Sequence, residues 1–248
     1  MWRCAAGLAA AFAVLPLVAA ADAALQDYGM PPEIQSARLL VPTDRYDHGV
    51  LGDAIEWGTL RLTINLCPPC ASIKEATVDH VLPTSRVFED TTARLADLDG
   101  DGRAEVIVVE TDLALGASLA VYDTRGKRAA TPYIGQTHRW LAPAGTGDFD
   151  GDGRIEIAYV DRPHLLRALV FVRLVGDQLI EVARVPDLTN HRIGDANISG
   201  GARNCGQGDQ VILANANWSR LMAVRIGQPP LNLGPFSASA MKRALACG

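Results

Sequence analysis

The sequence is short of the features that mark most functional classes. It has no basic run interleaved with aromatics, and aromatic residues make up only 6% of it, which argues against a nucleic-acid surface. There is no G-x-S-x-G, no H-E-x-x-H and no phosphate loop, so the common esterase, zinc-protease and nucleotide signatures are missing. Beyond the N-terminal stretch, no apolar run approaches the roughly 20 residues that span a bilayer. Cysteine is scarce, with five in all, and Cys4 falls inside that first stretch.

The N-terminus itself is informative. Arg3 precedes an Ala/Leu/Val-rich run from Ala5 to Ala20, and Ala21-Asp22-Ala23 has the small-x-small form of a cleavage site. Residues 1–23 read as a signal peptide, with an uncleaved anchor as the alternative. No cysteine stands at the cleavage site, which argues against a lipid anchor. Residues 24–36 read as a lead-in and 37–248 as the folded domain. The expected location is secreted or periplasmic, with no transmembrane span after cleavage. In an oxidising compartment Cys67, Cys70, Cys205 and Cys247 read as disulfides, with three possible connectivities. Cys67–Cys70 with Cys205–Cys247 is favoured over a cross pairing. A redox role for Cys67-Pro68-Pro69-Cys70 lacks a surrounding βαβ pattern, and a four-Cys zinc site is weaker still.

The dominant feature is a duplicated stretch. Asp97-Leu98-Asp99-Gly100-Asp101-Gly102-Arg103-Ala104-Glu105 recurs as Asp148-Phe149-Asp150-Gly151-Asp152-Gly153-Arg154-Ile155-Glu156, 51 residues later. Acids at alternate positions of an extended chain share a side, and the glycines let the chain curl so that the carboxylates converge. Bare, they would repel one another and raise each other's pKa. A hard dication relieves this. Calcium takes roughly six to eight oxygens in flexible geometry, whereas magnesium demands a stricter octahedron, so calcium is the better match. An EF-hand needs a bidentate Glu at position twelve and flanking helices. Position twelve is Val108 in one copy and Tyr159 in the other, and both loops run into strand-like sequence.

On these residues, and on Gly147-Asp148-Phe149-Asp150-Gly151-Asp152-Gly153-Arg154-Ile155-Glu156-Ile157-Ala158-Tyr159-Val160 above all, the chain resembles FG-GAP (VCBS) repeats, as in the β-propeller heads of integrin α chains. The resemblance implies a loop joining the first two strands of a blade. It implies calcium held by Asp97, Asp99, Asp101, the Arg103 carbonyl and Glu105, and by Asp148, Asp150, Asp152, the Arg154 carbonyl and Glu156. Two such ions would offset most of the formal net charge of -5.

The remaining chain repeats in four-strand units of about 50 residues, the period of propeller blades. The expected fold is all-β, a small β-propeller of about four, possibly five, blades. Either the ring closes small or it exposes an edge that must be covered or paired. Asp44 to Gly49 reads as a degenerate first loop. Asp195-Ala196-Asn197-Ile198-Ser199 opens a third without tight calcium, where Gln210 mirrors Glu105. Ser237 to Ala246 reads as a terminal helix. Asn197 and Asn217 match the N-glycosylation pattern.

His138, His164 and His191, each beside an arginine (Arg139, Arg162, Arg192), could converge as a cationic pocket for an anionic ligand; His48 and His80 carry no signal. Two acid pairs, Glu110/Asp112 and Asp53/Glu56, are weak candidates for acid–base work. The function expected is a non-catalytic module binding a protein or glycan. The alternative is an extracytoplasmic enzyme with a funnel-centred His/Arg site.

Overall fold

The structure, a computed structural model, describes residues 30–248; the expected signal peptide lies outside the described residues. These residues form three antiparallel sheets and one helix. The first sheet holds β1 (Glu33–Thr43), β2 (Glu56–Asn65), β3 (Glu75–Val81), β4 (Arg86–Phe88), β5 (Arg94–Ala96), β6 (Glu105–Asp112), β7 (Gly116–Asp123) and β8 (Gly126–Ala130). The second holds β9 (Leu141–Gly147), β10 (Glu156–Asp161), β11 (Ala168–Val175) and β12 (Gln178–Val185). The third holds β13 (Leu188–Thr189), β14 (Gly201–Asn204), β15 (Asp209–Asn215), β16 (Arg220–Val224) and β17 (Leu231–Pro235), and helix α1 spans Ala238–Leu245.

Three up-and-down units of four strands recur, β5–β8, β9–β12 and β14–β17. A three-stranded group, β1–β3, precedes them and joins the first unit edge-on through β4, which pairs with Trp57 on one side and with β6 on the other.

Side-chain alternation stacks these units face to face. Val106 and Val108 of β6 pack toward Leu60, Leu62 and Ile64 of β2. Ile107 and Val109 point the other way, to Ile157 and Tyr159 of β10. Ala158 and Val160 turn to Val211 and Leu213 of β15. Ile212 meets Met241 and Ala244 of α1. A strand buried on both faces must be apolar at every position, so Val106-Ile107-Val108-Val109 reads as a continuous run. Each such side chain contributes roughly 1.5–3 kcal/mol when fully buried.

The row is finished differently at its two ends. At one, α1 covers the third sheet; Ser237 caps the helix by accepting from the Ala240 N–H at 3.1 Å. At the other, β2 and β3 carry the exposed Arg61–Asp79 pair. Among the described residues no sheet pairing joins the first sheet to the third; the β1–β2 connection meets the segment before β14, where the Gly194 N–H donates to the Val50 carbonyl at 3.1 Å and Val50 and Ile198 share a core. No continuous hydrogen-bonded ring runs through the three sheets, and the outer face of the third sheet is covered by the helix. Cys67 pairs with Cys70, and Cys205 with Cys247, which ties the chain beyond α1 to the turn after β14.

Candidate functional site

The duplicated stretches form the turns from β5 to β6 and from β9 to β10, and they fold alike. Gly100, Gly102, Gly151 and Gly153 all have φ between 77° and 86°, which glycine adopts at little cost. In the first loop Asp97 accepts from the Gly100 and Gly102 N–H groups at 2.8 and 2.9 Å. In the second, Asp148 accepts from Gly151 and Gly153 at 2.7 and 2.9 Å. The ninth-position glutamates reach back to the second position: Glu105 accepts from Leu98 N–H at 2.9 Å and Glu156 from Phe149 N–H at 3.0 Å. Leu98 and Phe149 are themselves buried between successive sheets, so each loop is anchored by its second residue.

Carboxylate oxygens gather in both loops. Those of Asp97, Asp99 and Asp101 lie within 4.8 Å of one another, as do those of Asp148, Asp150 and Glu156. The fourth acid differs. Glu105 is drawn toward Arg128 of β8, whose Nη1 stands 2.8 Å from it and 2.7 Å from Asp99. Asp152 is held by Arg154 and by Arg173 of β11. Arg173 also spans Asp150, at 3.0 Å, and Glu156, with Nε at 2.7 Å.

Burial pushes Glu105 and Glu156 above the usual carboxylate range. Burial acts the same way on Asp99, but Arg128 and the Asp101 N–H outweigh it and hold Asp99 low. The donor set is all hard oxygen, which suits calcium or magnesium rather than softer metals. A cation, the guanidinium, already stands among those oxygens, so their placement suits positive charge. A cleft of about 620 Å³ opens beside the first loop, lined by Asp99, Asp101, Glu105, Asp123, Arg125 and Arg128 among others.

The other two expected loops are corrected. In the third unit the turn lies between β14 and β15, at 205–208, rather than at Asp195. Gln210 takes the place of Glu105, and Arg203 holds its side-chain oxygen at 3.0 Å. Asp209 instead accepts from the Asp148 N–H at 2.8 Å, bracing the second loop. Asp44 to Gly49 is no degenerate metal loop. It reaches the end of β10 away from the acids, where His48 lines a pocket with residues that follow Asp161.

At that end four of the six expected His/Arg residues line one cavity and a fifth, His191, packs beside it. His138, Arg139, Arg162 and His164 line a cavity of about 30 Å³ with His48 and Trp140. His191 lies against Trp140 and pairs through Nδ1 with His164 Nε2 at 3.0 Å. Arg192 stands apart, over the Trp218 ring. Burial, with His191 and His48 nearby, brings His164 down to about 4. His48, which carries no sequence signal, bonds through Nδ1 to the buried Glu89 at 2.5 Å, and Thr111 Oγ1 donates to Glu89 at 2.6 Å. Of the acid pairs, Glu110 is tied up by Tyr122, Tyr133 and Lys127. Glu56 is buried with Oε2 unpartnered, and burial, reinforced by Glu89, pushes it up to about 9.

Residues 97–159 match the family described as FG-GAP-like repeat, so the chain carries a repeat of that type over the two acid loops and the strands between them. Neither the curated proteins nor the solved structures gave a match. Among the described residues no helix is long and apolar enough to cross a membrane.

Proposed function

We propose that the chain is an exported, calcium-binding, β-propeller-like module that recognises a protein or glycan and is not itself catalytic. One observation carries the calcium part. Two loops 51 residues apart repeat the same hydrogen bonds from glycine N–H groups to the first aspartate's carboxylate, and each gathers three carboxylates. Asp97, Asp99, Asp101, Glu105 and the Arg103 carbonyl would hold one ion. Asp148, Asp150, Asp152, Glu156 and the Arg154 carbonyl would hold the other, with waters completing the shell. Bound calcium would neutralise the acids and stiffen the hairpins that display contacts. Export rests on the N-terminal pattern and on the two disulfides.

Calcium is expected to raise the Tm by several degrees, with chelator reversing the rise, because an ion that binds only the folded state stabilises it. Asp148→Ala should remove most of the second loop's share. A glycan array and an immobilised-protein screen, each with calcium and with chelator, test recognition. Failure to bind in either condition would count against the module reading.

A second reading, an extracytoplasmic enzyme, draws on the Glu89–His48 pair. A buried carboxylate holding Nδ1 is the arrangement that orients a histidine for proton transfer. Titration with inorganic phosphate, followed by the ring resonances of His48, His138 and His164, tests it; unmoved resonances discard the anionic-substrate version.

A further inference from the structure

We infer that Arg128 and Arg173 are built-in competitors for the calcium proposed above. Each guanidinium closes its acid cage while the ion is away and must leave the shared oxygens when the ion enters. The inference rests on the calcium reading and adds two residues that lie outside both loops.

The geometry is specific. Arg128 reaches from β8 to Asp99 at 2.7 Å, Glu105 at 2.8 Å and Asp177 at 3.3 Å, and its side chain is 16% exposed. Arg173 sits directly across from Glu156 in the β10–β11 ladder, touches Asp150, Asp152 and Glu156, and is 9% exposed. In both cases the cation engages the ninth-position glutamate together with a loop aspartate. These are the oxygens a calcium ion would need, and two cations within reach of the same oxygens repel.

The third unit shows an arginine engaging the ninth-position residue without a cage, though from the unit's first strand. Arg203 bonds neutral Gln210 and the Ala244 carbonyl, and serves as a strut between β14 and α1. In the two acid units the same chemical device stands where charge is concentrated, so it keeps the metal-free cage from flying apart and sets a threshold for the ion. The thresholds differ. Arg128 borders the 620 Å³ cleft and has room to swing out. Arg173 is the more buried of the two and all three of its acids belong to its own loop, whereas one of Arg128's is Asp177 outside it, so the second loop should yield to calcium less readily.

The test is calorimetric titration of calcium into the metal-free full chain and into Arg128→Met, Arg173→Met and Arg125→Met. Arg125 is 75% exposed and pairs with Asp123, so its loss changes net charge equally without touching the cage. Freed of charge-assisted hydrogen bonds, the altered loop should bind at least about tenfold tighter in Arg173→Met and several-fold tighter in Arg128→Met. Arg125→Met should shift far less. If the unaltered chain binds none but Arg173→Met binds one ion, the competition stands and only the native occupancy is lost. If the unaltered chain binds and the variants bind no tighter than Arg125→Met, the competition is overturned while the calcium reading survives. If no form binds, both fall.

Should a variant fail to fold, the unaltered chain still decides. Calcium must shift the Arg173 Nε–H resonance, and one that stays put through saturation overturns the inference.

Discussion

The two acid loops share their chemistry position by position, yet they sit in different surroundings. The first opens on a wide cleft and is crossed by an arginine from the unit's last strand. The second is wedged against the third sheet. Asp209 accepts from its first N–H, and a Cβ at Gly147 would stand 2.8 Å from the Asp209 carboxylate, so any larger residue there would push that brace aside. Its arginine is nearly buried and bonds three acids. A repeat can thus conserve a motif while its copies divide the work. The second loop staples neighbouring units, and the first is the more open of the two.

The largest expected effect sharpens that contrast. Glu156→Ala orphans the buried Phe149 N–H and takes from Arg173 the one fully buried acid of its three, so it should cost about 3 kcal/mol, the upper end for an unsatisfied buried group. Glu105→Ala orphans the Leu98 N–H in the same way but should cost less, about 1–3 kcal/mol, because Glu105 and Arg128 are more exposed than Glu156 and Arg173 and water can replace the lost partner. Urea denaturation of the metal-free chains checks both, and equal losses would erase the distinction. Next comes Asp209→Ala, at about 1–3 kcal/mol, because the Asp148 N–H loses its acceptor. Its calcium titration should weaken one of two binding events and spare the other; weakening of both would mean that the loops are not independent.

The smallest effects on calcium binding are expected at the histidine end, whose groups act on the pH dependence of stability and so serve as a control. His164 falls from 6.5 to about 4 in the fold, so the unfolded chain binds the extra proton, and its contribution is lost as pH drops from about 6.5 toward 4. Glu56 rises from 4.5 to about 9, so its contribution is complete below 4.5 and fades as pH climbs through 9. In Tm-against-pH profiles, His164→Asn should flatten the acid limb and Glu56→Gln the alkaline one. Neither should change the calcium response, and a change would tie the two ends of the molecule together.

What could be read from the residues follows from what repeats. The loops were legible because carboxylates, glycines and the following apolar runs recur in one register. The four-strand units were legible for the same reason, and Ser237 with the segment after it marked the helix. Arg128 and Arg173 were not, since they lie 23 and 17 residues past their glutamates, on different strands of their units. Only cross-strand pairing reveals them. His48 was invisible because its partner Glu89 is 41 residues away and the chain between is spent on β2 and β3. The third loop's start was placed at Asp195 because acid spacing was followed there, while the match of Gln210 and its apolar run to Glu105 already gave the register, with Val211 facing the second sheet as Ile157 faces the first.

The most direct test of the central claim is a high-resolution crystal structure of the chain soaked in calcium. The account predicts one ion in each loop, bound by Asp97, Asp99, Asp101 and Glu105 and by their counterparts from Asp148 to Glu156, with Arg128 and Arg173 withdrawn. Water alone at both turns, with the arginines still seated on the acids, would contradict it.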